Sequence, residues 1–285
     1  MPATSATPQE SAISPRDLQA YRQIEQVARW EGRVTTNTLI DTLGCKRTTA
    51  SSIIQGYREA CPNNLTYCTS SRGYLPSDAF EVTFSSGTLE EYSQLTSLGV
   101  SEFPAYPMQM LQRSPDPAVV RPILKAITEK QRIDISYASF TSPEDGDRII
   151  SPHTLVNDGS RWHVRAWCEK NQDFRDFVLS RIQAVYGAEG NATTTANQDE
   201  GWNQWLTVSI EPDIRLSESQ QKLVVLDYAM EETTEKRFVR HYPVRRALLI
   251  YTLQNLRLDR LRERGEAQQI MLTSECQRAL KPFLP

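Results

Sequence analysis

Residues 45–76 read CKRTTASSIIQGYREACPNNLTYCTSSRGYLP. The first half has helical periodicity, with Ala50, Ile53, Ile54 and Tyr57 recurring at the spacing of one helix face. The opposite face carries Thr48, Ser51, Ser52 and Gln55, with Arg47 and Arg58 near the ends. The second half reads as two short strands, LTYCT and YLP, joined by SSRG, whose Gly73 suits a tight turn.

Upstream, Leu18, Tyr21, Ile24, Val27 and Ala28 form one apolar stripe of a first helix. Thr35 and Thr36 are candidate N-caps of a short second helix carrying Leu39, Ile40 and Leu43, which Gly44 would end. Helix, helix, turn, helix, hairpin is the order of a winged helix-turn-helix. A helix that enters a major groove ~12 Å wide favours small polar residues and Arg or Gln on its outer face. On this reading Lys46, Arg47, Thr48, Thr49, Ser51, Ser52, Gln55 and Arg58 face double-stranded DNA, and Arg72 on the wing faces its phosphates. A small helical domain with a solvated polar face is the other reading of the same pattern.

Downstream, Pro117 opens a helix carrying Val120, Ile123, Leu124 and Ile127. Short strands follow: RIDISYASF, DRIISPHTLV, RWHVRAW and FRDFVLSRI, close enough together to suggest a small barrel. Along RWHVRAW, Trp162, Val164 and Ala166 fall on one face and His163, Arg165 and Trp167 on the other. The polar stretch AEGNATTTANQDEG, 188–201, reads as a linker, and the Ser/Thr/Pro-rich start as a disordered tail. The expected division is a tail 1–14, a winged helix 15–80, a linker region 81–116, a barrel domain 117–187, a linker 188–202 and a last domain 203–285.

The run from Arg121 to Gly187 resembles the WYL domain of bacterial regulators. Trp162-His163-Val164 stands in place of the name-giving tripeptide, and the surrounding fragments agree in order. These are Ser136-Tyr137, Arg148, Ser151-Pro152-His153, Leu155-Val156, Phe174-Arg175-Asp176-Phe177 and Leu179-Ser180-Arg181-Ile182. The winged-helix segment is similar to the start of WYL regulators that sit beside phage-defence operons, the BREX- and CBASS-associated repressors. The last domain is similar to their C-terminal extension, with strand WLTVSIEP, helix SESQQKLVVLDY, strand KRFVRHYP and helix VRRALLIYTLQNLRL.

The resemblance implies an α+β protein: an N-terminal winged helix-turn-helix, a central Sm/SH3-like β-barrel (WYL) and a C-terminal α/β extension. It implies a homodimer that reads an inverted-repeat operator and binds a nucleic-acid or nucleotide effector at the WYL domain. Tyr137, Arg148, His153, His163, Arg165, Arg175 and Arg181 are the candidate effector contacts, of which His153, Arg175 and Arg181 match family motif positions. The resemblance also brings Arg240, Arg245 and Arg246 toward the partner's ligand site. Internal salt bridges with Asp147, Asp173 or Asp176 are the competing reading of the arginines. An RNA- or single-strand-binding module acting through the barrel alone is the competing function.

Bulk properties fit a cytoplasmic regulator. The chain has 285 residues, 39% hydrophobic and 24% charged, which is ordinary for globular domains. No apolar run has bilayer length and the start lacks a signal pattern, so no membrane association is expected. Five scattered cysteines without CxxC spacing argue against a disulfide framework or a zinc site. A net charge of −3 argues weakly against a nucleic-acid partner. Its distribution argues the other way: between residues 44 and 75 the bases Lys46, Arg47, Arg58 and Arg72 face one acid, Glu59. Only three histidines and no GxSxG, HExxH, P-loop or GxGxxG motif leave no catalytic residues, metal site or cofactor to expect. His163 and Cys168 lie an odd number of residues apart on one strand, so they do not form a dyad.

Overall fold

The computed structural model describes residues 13–95, 115–140, 143 and 146–284. Most of the tail and most of the Pro-rich segment 103–122 lie outside the described residues. The chain divides into two compact units, 1–109 and 110–285.

The first unit contains helices α1 (Pro15–Glu31), α2 (Thr36–Leu43) and α3 (Arg47–Ala60), strands β1 (Leu65–Cys68) and β2 (Gly73–Pro76), and helix α4 (Leu89–Leu95). Local chemistry sets the helix ends. The Ser14 side chain accepts the Asp17 N–H at the start of α1, Pro15 takes the first turn, and Gly32 closes it at φ 71°. Thr35 caps α2 in a reciprocal box with Thr38, and Gly44 ends it in the left-handed region. The predicted apolar face of α3 (Ala50, Ile53, Ile54 and Tyr57) is buried against Tyr21, Ile24 and Ala28 of α1.

β1 and β2 form the antiparallel wing, with Cys68 opposite Gly73, and Val34 bridges Tyr74 alongside. The turn is built differently from the expectation. Arg72 takes the left-handed conformation, at φ 50°, and Gly73 serves a close approach. A Cβ on Gly73 would stand 2.9 Å from Arg33 Nε and 3.1 Å from the Val34 carbonyl.

The second unit opens with α5 (Pro117–Glu129), capped by Asp116. Five strands follow: β3 (Gln131–Tyr137), β4 (Asp147–Asn157), β5 (Trp162–Cys168), β6 (Asp173–Val178) and β7 (Ile182–Asn191). Val119, Ile123 and Ala126 of α5 bury against the sheet, whereas Leu124, expected on that face, is exposed. The segment read as one strand, FRDFVLSRI, breaks at a helical turn, Leu179–Arg181, and restarts as β7. β7 runs through residues 188–191, the beginning of the expected linker.

Sheet order is β6-β5-β4-β3-β7, every neighbouring pair antiparallel. The expected Sm/SH3-like barrel is not closed. β7 pairs with β3 across the sheet rather than with β6 next to it in sequence, so β6 and β7 remain as two edges. Three register shifts along β3–β7 and one in β4–β5 bend the sheet locally instead.

The remainder comprises α6 (Glu200–Asn203), β8 (Trp205–Pro212), α7 (Glu218–Asp227), β9 (Glu231–Glu232), β10 (Phe238–Arg245), α8 (Leu249–Asn255), α9 (Gly265–Gln268), β11 (Ile270–Leu272) and α10 (Ser274–Leu280). Its sheet has the order β11-β8-β10-β9. Val208 and Ile210 of β8, Val224 of α7, Leu249 and Leu253 of α8 and Ile270 share a separate core. Residues 244–246, expected to begin the last long helix, end β10 and form a tight turn; the helix proper is α8.

Candidate functional site

In the first unit, Lys46, Arg47, Thr48, Ser51, Ser52 and Gln55 are all exposed on one side of α3, and Thr49 and Arg58 are half-buried beside them. Gln55 is held within the helix: its Nε2 donates to Glu59 Oε1 at 3.0 Å and its Oε1 accepts from Arg58 at 3.3 Å. The Arg58 guanidinium lies 5.3 Å from the Tyr74 ring of the wing, tying helix to hairpin. Arg72 is exposed at the wing turn. Tyr67, exposed on β1 and edge-on to Tyr74, extends the same unit with an aromatic that sequence reasoning passed over.

This face is anchored by a carboxylate. Glu25 of α1 has 0% exposure. It accepts the backbone N–H groups of Thr83, Phe84 and Ser85 at 2.8–2.9 Å, and the Tyr57 hydroxyl at 3.3 Å. Burial pushes the Tyr57 phenol upward, so it stays a neutral donor. Asn64 completes the cluster, donating to both Tyr57 Oη and the Glu81 carbonyl.

On the wing, the Cys68 thiol sits 3.1 Å from the Ser70 hydroxyl. Hydrogen bonds from Ser70 and Ser71 bring its pKa down to about 7.

In the second unit the seven candidate residues separate into three groups. Arg165, His153 and His163 belong to a polar clasp on the sheet face opposite the core. The Arg165 guanidinium donates to both Asp199 oxygens, at 2.7 and 3.1 Å, and to Asp176 at 3.3 Å. His153 is the extra residue of the β4 bulge between Pro152 and Thr154, which turns its ring toward Asp199, 3.2 Å from Nε2. Burial and the nearby Arg165 hold His153 below its ordinary pKa, against the pull of Asp199. Burial alone would raise Asp199; hydrogen bonds from Arg165, the Trp202 N–H and His153 outweigh it and hold the carboxyl low. His163 Nε2 lies 2.7 Å from Asp158, a carboxylate that also takes the Ser160 and Arg161 N–H groups.

The clasp is closed by residues that sequence reasoning missed. Tyr251 of α8 donates to Asp176 at 3.1 Å and packs on the His163 ring. Asn255 donates to the Asp158 carbonyl. Asp199 caps α6 through the Trp202 N–H. Arg245 lies between the rings of Trp202 and Trp205, 4.5 Å from each, and donates to the Trp202 carbonyl. Arg245 therefore has partners within its own chain.

The second group is Arg175, exposed and paired at 3.2 Å with Asp173. The third lies at one end of the sheet. Tyr137 is buried in the core, its hydroxyl accepting the Val178 N–H, with the Arg148 guanidinium 5.6 Å from its ring. Next to it the Arg181 carbonyl accepts from Ala138, and the Arg181 guanidinium covers Phe140 at 4.4 Å. Phe140 is 87% exposed. The geometry thus does not bring the seven into one patch.

Comparison with known proteins follows the same three segments. Residues 17–97 match the BrxR transcriptional regulator winged helix-turn-helix domain, 118–186 the WYL domain, and 205–280 the BrxR transcriptional regulator C-terminal dimerization domain. The chain belongs to the BrxR family of WYL-domain regulators. Among BrxR-type relatives, a DNA-binding transcriptional repressor CapW from Pseudomonas aeruginosa is 35% identical over 263 residues, covering 87% of this chain and 86% of the relative. Proteins of the same description from Escherichia coli (32% over 266 residues, 88% and 87% covered) and Stenotrophomonas maltophilia (32% over 246 residues, 82% and 80% covered) are also similar.

Proposed function

We propose that this BrxR-family chain is a homodimeric transcriptional repressor of the bacterial cytoplasm, acting on a phage-defence operon. Its two α3 helices read the half-sites of an inverted-repeat operator, because a two-fold protein matches a pseudo-palindrome. The supporting observation is the outer face of α3: six exposed polar or basic side chains stand over a completely buried apolar face, beside a wing that presents Arg72. The CapW relatives, described as DNA-binding repressors, agree with it.

The effector is a nucleic acid or nucleotide, and its binding releases the operator. For this to work it must bind the two states with different affinity. We place its phosphate contacts at the Arg181–Phe140 end of the WYL sheet, since Arg165, His153 and His163 already engage buried aspartates. Arg175, exposed beside Asp173, belongs to the rim of that surface.

Selection of bound fragments from upstream and random DNA, followed by gel shift, tests the proposal. An inverted repeat should emerge, and the double variant Arg47→Ala/Gln55→Ala should lose it while remaining a folded dimer. Undiminished affinity of that variant at near-physiological salt would remove α3 from the groove.

A further inference from the structure

α7 carries four apolar residues in succession, Leu223-Val224-Val225-Leu226. Such a run cannot fit one side of a helix; it requires cover all round. Val224 is buried in the domain core and Val225 packs partly against it, but Leu223 and Leu226 are exposed, Leu226 to 75%. Beside them a groove of about 700 Å³ runs between α7, the end of β8 and the start of β10. Ile214 (77% exposed), Val225, Leu226 and Phe238 supply its apolar lining. Its charged lining has both signs, Glu218 with Lys222 and Lys236, and none of these three makes an ion pair among the described residues.

An apolar centre with a rim of mixed charge suits a particular kind of partner. A partner of a single charge would leave half the rim opposed by like charge. A surface carrying its own complement, related by a two-fold axis, satisfies both signs, because each residue i meets j and each j meets i. The helix and groove also lie within 205–280, the segment matching the dimerization domain.

We propose that the α7 groove is the seam at which a second copy of this chain docks, with Leu223, Leu226 and Ile214 at its centre and Glu218, Lys222 and Lys236 pairing across the two-fold. The inference rests on the homodimer reading above and adds the surface that forms the dimer. A stable interface takes about 800 Å² per partner, so the groove is its apolar centre and further contacts surround it. Central apolar positions carry most of the binding energy, and rim charges little.

The test uses the full chain in sedimentation velocity across a dilution series. Wild type should sediment at twice 32.5 kDa. Leu226→Glu keeps a good helix former at an exposed site and puts a charge in the seam, so it should raise the dimer dissociation constant by about 100-fold or more. Ile214→Glu, in a loop outside the helix, should do the same even if α7 does not tolerate a change. Leu261→Glu, equally exposed but outside the groove, should leave the dimer intact. Dimers of unchanged affinity in both groove variants would overturn the proposal, whether the groove then proves empty or holds a small apolar ligand. Loss of the dimer in Leu261→Glu to the same extent would also overturn it. A wild type that is monomeric at every concentration would instead overturn the homodimer reading itself.

Discussion

Glu25 is a carboxylate with no exposed surface, and what surrounds it is almost entirely donors: three backbone N–H groups and a phenol. Its partners are 58–60 residues away in the chain, so it fastens the segment after the wing to α1 and, through Tyr57, to the recognition helix. Nothing in the local sequence announces this, because Glu25 follows Ile24 in an ordinary amphipathic stripe. Glu25→Gln keeps the shape but turns an NH₂ toward N–H donors. We expect a loss of about 2–4 kcal/mol in the unfolding free energy of the first unit, measured by urea denaturation, as charge-assisted bonds give way to opposed donors. An unchanged midpoint would show that water supplies the missing acceptors.

At the scale of elements, helices were legible and the clasp was not. The apolar face of α3, the Thr35 cap and the Gly44 stop follow from spacing within a few residues, and the structure shows each of them. Asp199 stands in a polar stretch with little apolar content, yet it is buried, caps α6 and holds Arg165, 34 residues distant. The open sheet escaped for the same reason, since strand periodicity says which residues alternate but not which edges meet. Asp199→Asn would keep a competent helix cap but leave Arg165 buried with Asp176 alone. A broken buried pair costs about 3–5 kcal/mol. Calorimetry should show the second unit melting earlier by a matching amount. The pH dependence has a definite sign. His153 is held below 6.5 in the fold, so the unfolded chain binds more protons in that range and stability falls as pH drops below 6.5. Asp199, held below 3.8, adds a second loss at still lower pH. His153→Gln should flatten the first decline and leave the second, and a melting profile identical to wild type would assign the first decline elsewhere.

For the whole molecule, the proposed switch separates two properties that one variant can tell apart. Arg181 belongs to the sensor domain and α3 to another, so Arg181→Ala should leave operator affinity intact. Losing one phosphate-binding guanidinium should weaken effector binding by about ten- to a hundred-fold, the equivalent of 1.5–3 kcal/mol. The expected phenotype is a repressor that occupies its operator but is not released during phage challenge. Normal derepression by a folded variant would move the effector away from the Arg181–Phe140 end. The wing thiol has a consequence of a different kind, for chemistry done on the protein from outside. Cys61, Cys168 and Cys276 are buried, whereas Cys68, with a pKa of about 7, is roughly half thiolate at neutral pH. A maleimide added in limiting amount should therefore tag Cys68 ahead of the others, and bound operator should slow that tagging. Peptide mapping of the modified chain would read the wing's occupancy by DNA directly, without any engineered cysteine.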